Sequence, residues 1–325
     1  MLNTPVTIDE LFHTKKQFDM GFTSPKLENI SGIFLPSRNI TKSRIYDDFI
    51  NKNQKYVLRD DEHVKITITG RLLTQKHKDV LESLITGVQG DYGEIELYRK
   101  EKVFKIIINP NQAKQAYSEY SGTQTNAAWF YEKLTEIGDC GVQLDFKDKN
   151  NQSMYLTFID SVYKDDNKII INFSIAYTVL IARTFMYDYR DYLKSILGFS
   201  NFCKKQTRSL KREIHTEPIR AIMRFMLMHK DRTTYNLETI FKELGFYGIL
   251  SKRQIQEVIS DLKDEKIREY LEEELGIFLS QDCKSVSIRS VANKKRKIRN
   301  PINNEDILPK KGKTSNHQIA QQTLF

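Results

Sequence analysis

Cysteine is scarce: the 325 residues hold three, Cys140, Cys203 and Cys283, standing singly and far apart. That spacing excludes a secreted disulfide framework and a zinc site built on paired cysteines, and it fits a reducing cytoplasm. Long apolar runs are missing too. The opening MLNTPVTIDELFHTKK has no apolar stretch after a basic start, so no signal peptide is expected. The most apolar segment, residues 169–197, is interrupted by Arg183, Asp188, Arg190 and Asp191, which argues against a membrane span.

Catalytic signatures are equally thin. The six histidines, His13, His63, His77, His215, His229 and His317, contain no His-x-His pair of the kind relaxation nucleases need, and no HExxH. The string Lys311-Gly312-Lys313-Thr314 imitates the end of a phosphate loop, but the required first glycine falls at Ile307 and no strand precedes it. The pairs Asp60-Asp61 and Asp165-Asp166 sit in apparent turns, where acidic residues serve local hydrogen bonding. The expectation is a binding protein, not an enzyme, with no catalytic residues, cofactor or metal.

What is present is positive charge in particular places. Lys plus Arg number 51 against 42 Asp plus Glu, a net charge of +9. From residue 291 to 325 there are eight basic residues and two acidic ones; from 201 to 232 there are nine against three. The remainder is slightly acidic, so the charge marks a designated face for a polyanion.

The length suits about two domains plus tails. Residues 1–55 mix polar runs with Pro5, Pro25 and Pro36 and read as a largely irregular arm. Residues 63–69 alternate as a strand, and 74–85 read as a helix with Val80, Leu81, Leu84 and Ile85 on one stripe. Strands at 94–98 and 103–108 lead to helices near 111–120 and 125–137, then a hairpin of 142–146 and 154–159, and a strand at 169–173. Residues 175–200 read as one long connecting helix. The second half repeats the order: a helix at 217–228, a shorter one at 236–244, a third at 252–263 capped by Ser251, and a hairpin of 277–279 and 286–288. The stretch 265–274 between them is acidic and reads as solvated.

Three short helices followed by a hairpin is the winged-helix plan. The expected fold is therefore α+β, with two tandem winged-helix domains at 56–174 and 201–291 and flexible tails, the basic one spanning 292–325. In the second domain the third helix presents Lys252, Arg253, Gln256 and Ser260 opposite its apolar stripe. Arg can make a bidentate contact to guanine, Gln to adenine, and Lys neutralises phosphate. Arg220 and Arg224 lie opposite the apolar face of the first helix, and Lys204, Lys205, Arg208, Lys211 and Arg212 precede it. All fit phosphate contacts. In the first domain the equivalent helix offers Asn126 and Lys133.

The segments HVKITITGRLLTQKHKDVLESLIT, RAIMRFMLMHKDRTTYNLETIFKELGF and SKRQIQEVISDLKDE resemble plasmid replication initiators of the iteron-binding type, most nearly the TrfA-like ones, over about residues 56–291. The resemblance implies binding to repeated origin sites on double-stranded DNA, opening of an adjacent AT-rich duplex, and recruitment of the host replicative helicase and origin-binding initiator. It also implies a monomer-dimer balance, with self-association through the first domain. The chain ends Gln321-Gln322-Thr323-Leu324-Phe325, which resembles the peptide that docks replication proteins on the sliding clamp: Gln321 would bond the pocket rim while Leu324 and Phe325 fill it. A winged-helix transcriptional regulator would share the same elements, and so would a protein-binding scaffold.

Overall fold

Local sequence rules account for much of what forms. The computed structural model describes residues 24–25, 28–29, 32–88, 94–98, 103–147, 152–165, 167–178, 186–210, 213–229, 231–295 and 297–299. Strands β1 (Ser24–Pro25) and β2 (Phe34–Leu35) precede helix α1 (Arg44–Asn51). The hairpin of β3 (Lys55–Asp60) and β4 (Val64–Thr69) leads through β5 (Leu73–Thr74) into α2 (Gln75–Val88). After β6 (Glu94–Tyr98) and β7 (Val103–Ile108) come α3 (Pro110–Ser121) and α4 (Ala127–Gly138). Asn109 starts α3 with a capping box, and Gly122, in the left-handed region at φ 62°, ends it. A Cβ at Gly122 would stand 2.9 Å from the Asn201 side-chain amide, so a side chain there would strain the backbone and displace that amide.

Four strands follow: β8 (Gly141–Phe146), β9 (Gln152–Thr157), β10 (Ile159–Asp165) and β11 (Lys168–Phe173). They complete two antiparallel four-stranded sheets, ordered β3-β4-β8-β9 and β10-β11-β7-β6. Beyond β12 (Met186–Asp188) run α5 (Arg190–Leu210), α6 (Thr216–Leu227), β13 (Thr234–Asn236), α7 (Leu237–Glu243) and the single turn α8 (Phe246–Ile249). Helices α9 (Lys252–Leu262) and α10 (Glu265–Leu275) then lead to β14 (Ile277–Leu279), β15 (Ser285–Ile288) and β16 (Lys297–Arg299). The result is a mixed α+β chain with several small sheets.

Several expectations need correction. The arm up to residue 55 is not all irregular: Ile33, Phe34, Leu35, Ile45 and Phe49 are buried in the core, because β2 pairs parallel with β5 and α1 packs beside β3. Residues 175–200 are not one helix, since β12 interrupts them and α5 begins only at Arg190. The acidic stretch 265–274 is helix α10, which buries Ile267, Leu271 and Leu275 while Glu265, Glu269 and Glu273 are exposed. The basic tail is fastened at its start: β16 pairs with β12, and Lys294 Nζ bonds Glu274 Oε2 at 2.7 Å.

The largest correction concerns α6. Its apolar residues Ile219, Ile222, Met223 and Met226 are buried as expected, but so are Arg220 and Arg224, at 2% and 1% exposure. Gln75, Asp79 and Glu82 stand at successive turns on one stripe of α2, and the two arginines stand one turn apart on α6. Arg224 donates Nη1 to Gln75 Oε1 at 2.6 Å, Nη2 to Asp79 Oδ1 at 2.7 Å, and Nε to both Glu82 oxygens. Arg220 Nη1 donates to Asp79 Oδ2 at 2.6 Å. Around them Tyr189 donates to Glu82 at 2.5 Å, Tyr177 donates to Glu28 at 2.5 Å, and Lys78 pairs with Glu28. Three cations thus meet three carboxylates out of water. Burial alone would lower the Arg224 pKa, and the carboxylates of Glu82 and Asp79 outweigh it and raise it. Neither arginine stands on an exposed helix face, where the phosphate contacts expected of them would be made.

Removing one member of such a network leaves buried charge uncompensated, which costs roughly 3–5 kcal/mol. Arg224→Met should therefore lower unfolding stability in urea by that amount, whereas Lys205→Ala, on the surface, should change it by less than about 0.5 kcal/mol. Equal stabilities for the two variants would refute the structural role of Arg224.

Candidate nucleic-acid interface

Helix α9 is aimed by its first turn. The Ser251 hydroxyl accepts from Gln254 N at 3.2 Å while Gln254 Oε1 accepts from Ser251 N at 2.9 Å, closing a capping box. Ile255, Val258 and Leu262 at i, i+3 and i+7 are buried, so the opposite edge faces outward. Lys252, Arg253, Gln256 and Ser260 are all exposed on it, and the structure brings these four expected residues together on one helix. Arg253 Nε donates to Glu257 Oε1 at 2.8 Å with its side chain 87% exposed. Such an exposed pair contributes little and is readily exchanged for another acceptor.

Behind α9, Asp261 is fully buried and holds α6 in place. Its Oδ2 accepts from the His215 backbone N at 2.8 Å and lies 3.1 Å from His215 Nδ1. The hairpin beside it is set by Gly276, at φ 65°, where a Cβ would stand 2.1 Å from the Arg289 carbonyl oxygen. Strand order here is β13-β15-β14, with the turn between β14 and β15 held by Asp282, which accepts from Lys284 N at 3.1 Å. Lys284, 82% exposed at that turn, and Arg289, whose guanidinium lies 4.9 Å from the Phe278 ring centre, add positive charge that the sequence reading did not single out. The signal was a lysine in a hairpin turn, easily passed over in a lysine-rich chain.

Lys204 and Lys205 are exposed on α5. Arg208 belongs to the same helix, but its side chain lies outside the described residues, as do Lys211, Arg212 and the terminal Gln321, Leu324 and Phe325. In the first half, Asn126 is exposed at the start of α4, where its side-chain oxygen accepts from Trp129 N at 2.7 Å. Lys133 is a correction. It is only 15% exposed and is paired with Glu136, which His77 also bonds, at 2.8 Å. Burial pushes the Glu136 carboxyl up, but the hydrogen bonds from His77 and Lys133 prevail and bring it down to about 2. A lysine neutralised in this way offers nothing to phosphate. Among the described residues no cluster of three or more His, Cys, Asp or Glu could hold a metal, and no helix is long and apolar enough to cross a membrane.

His215 links this site to pH. The hydrogen bond to Asp261 raises its pKa; burial opposes that, and the charges of Asp261 and Glu257 reinforce it. A raised histidine stabilises the fold fully below its ordinary pKa of about 6.5, and that contribution is lost as pH rises through the folded value. Thermal stability should fall as pH rises above about 6.5, and His215→Gln should flatten that decline. An equally steep decline in the variant would remove His215 as the cause.

No family model matches the sequence, and no curated protein matches it. Among solved structures the chain is similar to domains 2 and 3 of RctB, with a TM-score of 0.43 and 13% sequence identity, covering 82% of this chain and 98% of that one.

Proposed function

We propose that the chain is a sequence-specific double-stranded DNA-binding protein that acts as a replication initiator at repeated origin sites. The observation that carries this reading is the outward row of Lys252, Arg253, Gln256 and Ser260 on a capped helix whose other face is locked into the core. The elements around that row fit a winged helix: α6, α7 and α9 supply the three helices, and β13-β15-β14 the sheet with its short wing. In the first half α3, α4 and the β8-β9 hairpin repeat the plan.

In this reading α9 enters a major groove by its N-terminal half. Arg253 leaves Glu257 to grip a guanine edge, Gln256 reads an adenine, and Lys252 meets phosphate at the groove rim. Lys284 on the wing and Lys204 and Lys205 on α5 neutralise backbone, which makes binding steeply salt-dependent. Opening of the adjacent duplex, recruitment of the host helicase and initiator, self-association, and clamp docking through the terminal peptide belong to the initiator reading through the resemblance of the sequence alone.

The test is a titration of the full chain against labelled duplexes from the DNA flanking its own gene, with random duplex as competitor, at two salt concentrations. A repeated site should bind about a thousandfold more tightly than random DNA. Arg253→Ala should weaken that site by roughly 1–3 kcal/mol and relax selectivity at one base, whereas Lys205→Ala should weaken every sequence alike. Weak, sequence-blind binding that neither variant alters would overturn the reading.

A further inference from the structure

A cavity of about 540 Å³ opens between α3 and α4 on one side and α5 and α6 on the other. Tyr117, Thr125, Trp129, Lys204, Thr216 and Arg220 are on its wall. Arg220 bonds Asp79 through Nη1 alone; among the described residues its Nε and Nη2 have no hydrogen-bond partner, although both are out of solvent. Those two nitrogens form one edge of the guanidinium, the edge that accepts two oxygens of an oxyanion side by side. Arg224, one turn further on, uses this same edge to hold Glu82. The Thr125 hydroxyl is a second buried group on the wall with no partner among the described residues. Leaving buried donors unmatched costs on the order of 1–3 kcal/mol each, more when they are charged.

The wall is electrostatically prepared for an anion. Two helix N-termini reach it, α4 through its N-cap Asn126 and α6 through Thr216; Asn126 caps α4 through Trp129 N, whereas the N-cap of α6, His215, makes no side-chain capping bond. Of the acidic groups on the wall, Asp79 is paired with the arginines and Glu213 with Arg38, while Glu217, which accepts from the Thr216 hydroxyl at 2.7 Å, is offset by Lys76 and Lys204 on the same wall. We propose that this cavity binds a phosphate group, which places two oxygens on the open edge of Arg220 and a third on Thr125, with Lys204 adding charge. A tetrahedral oxyanion offers a third oxygen beyond the two that a carboxylate has, and the volume exceeds what one phosphate fills, so the group belongs to a larger phosphorylated molecule or to a DNA backbone. The site is separate from α9 and does not depend on base reading there.

Trp129, the only Trp, lies on the wall 5.2 Å from the Tyr117 ring and serves as the reporter. The full chain is titrated with inorganic phosphate, then pyrophosphate, at constant ionic strength against chloride. A saturable change in Trp129 emission is expected with phosphate and not with chloride. Arg220→Lys, which keeps a cation beside Asp79 but lacks the open edge, should weaken phosphate binding about tenfold, and Thr125→Val roughly threefold. Far-UV circular dichroism establishes that each variant is folded; if Arg220→Lys is not, Thr125→Val carries the test. Random duplex added to phosphate-loaded protein separates the sources: displacement of the signal assigns the site to DNA backbone, and persistence assigns it to a free phosphorylated molecule. No saturable response to phosphate, pyrophosphate or duplex, or unchanged affinity in the folded variants, would overturn the proposal.

Discussion

The contact of α6 with α2 through buried charge is the constraint on which the rest depends. A helix with arginines on one side and Ile, Met and Leu on the other would ordinarily show the arginines to water. Here both sides are covered, and the cost of desolvating three cations and three carboxylates is offset because Arg224 finds three partners, Lys78 finds Glu28 and Arg220 finds Asp79. Apolar contact tolerates small rotations, whereas a fork that must meet Gln75, Asp79 and Glu82 together permits one angle. That fork fixes how α6 lies against α2.

The surface charge must be revalued accordingly. The segment 201–232 holds nine basic residues, but Arg224 is consumed internally and Arg220 is buried at a cavity wall. Around α9, exposed positive charge among the described residues is carried by side chains on α5, on α9 and at the β14-β15 turn. Charge counted along a sequence measures supply; only the fold shows how much of it reaches solvent.

Much of the architecture was legible. Ser251 with Ile255, Val258 and Leu262 specified α9, and Asn109-Pro110 specified the start of α3, because caps and periodicity are local signals. The outward row on α9 followed from the same pattern. The arginines of α6 were misread because amphipathic spacing identifies the apolar face and says nothing of what covers the polar one. Lys133 was misread because its partner Glu136 is itself fixed by His77, about sixty residues earlier in the chain. The break at β12 escaped notice since Met186–Asp188 is a strand only through pairing with residues near both chain ends. The cavity had no sequence signal, being made by two halves that meet only after folding.

That small sheet has a kinetic consequence. Met186–Asp188 forms its central strand, flanked by Ser24–Pro25 and Lys297–Arg299, so it joins segments drawn from the beginning, middle and end of the described chain. Loops of such length close slowly, and contacts so distant in sequence form late. During synthesis the third strand is delivered after the elements of both halves, so both halves must hold their shape before this clasp exists. The sheet therefore acts on the unfolding rate of the finished molecule and has little part in guiding the nascent one.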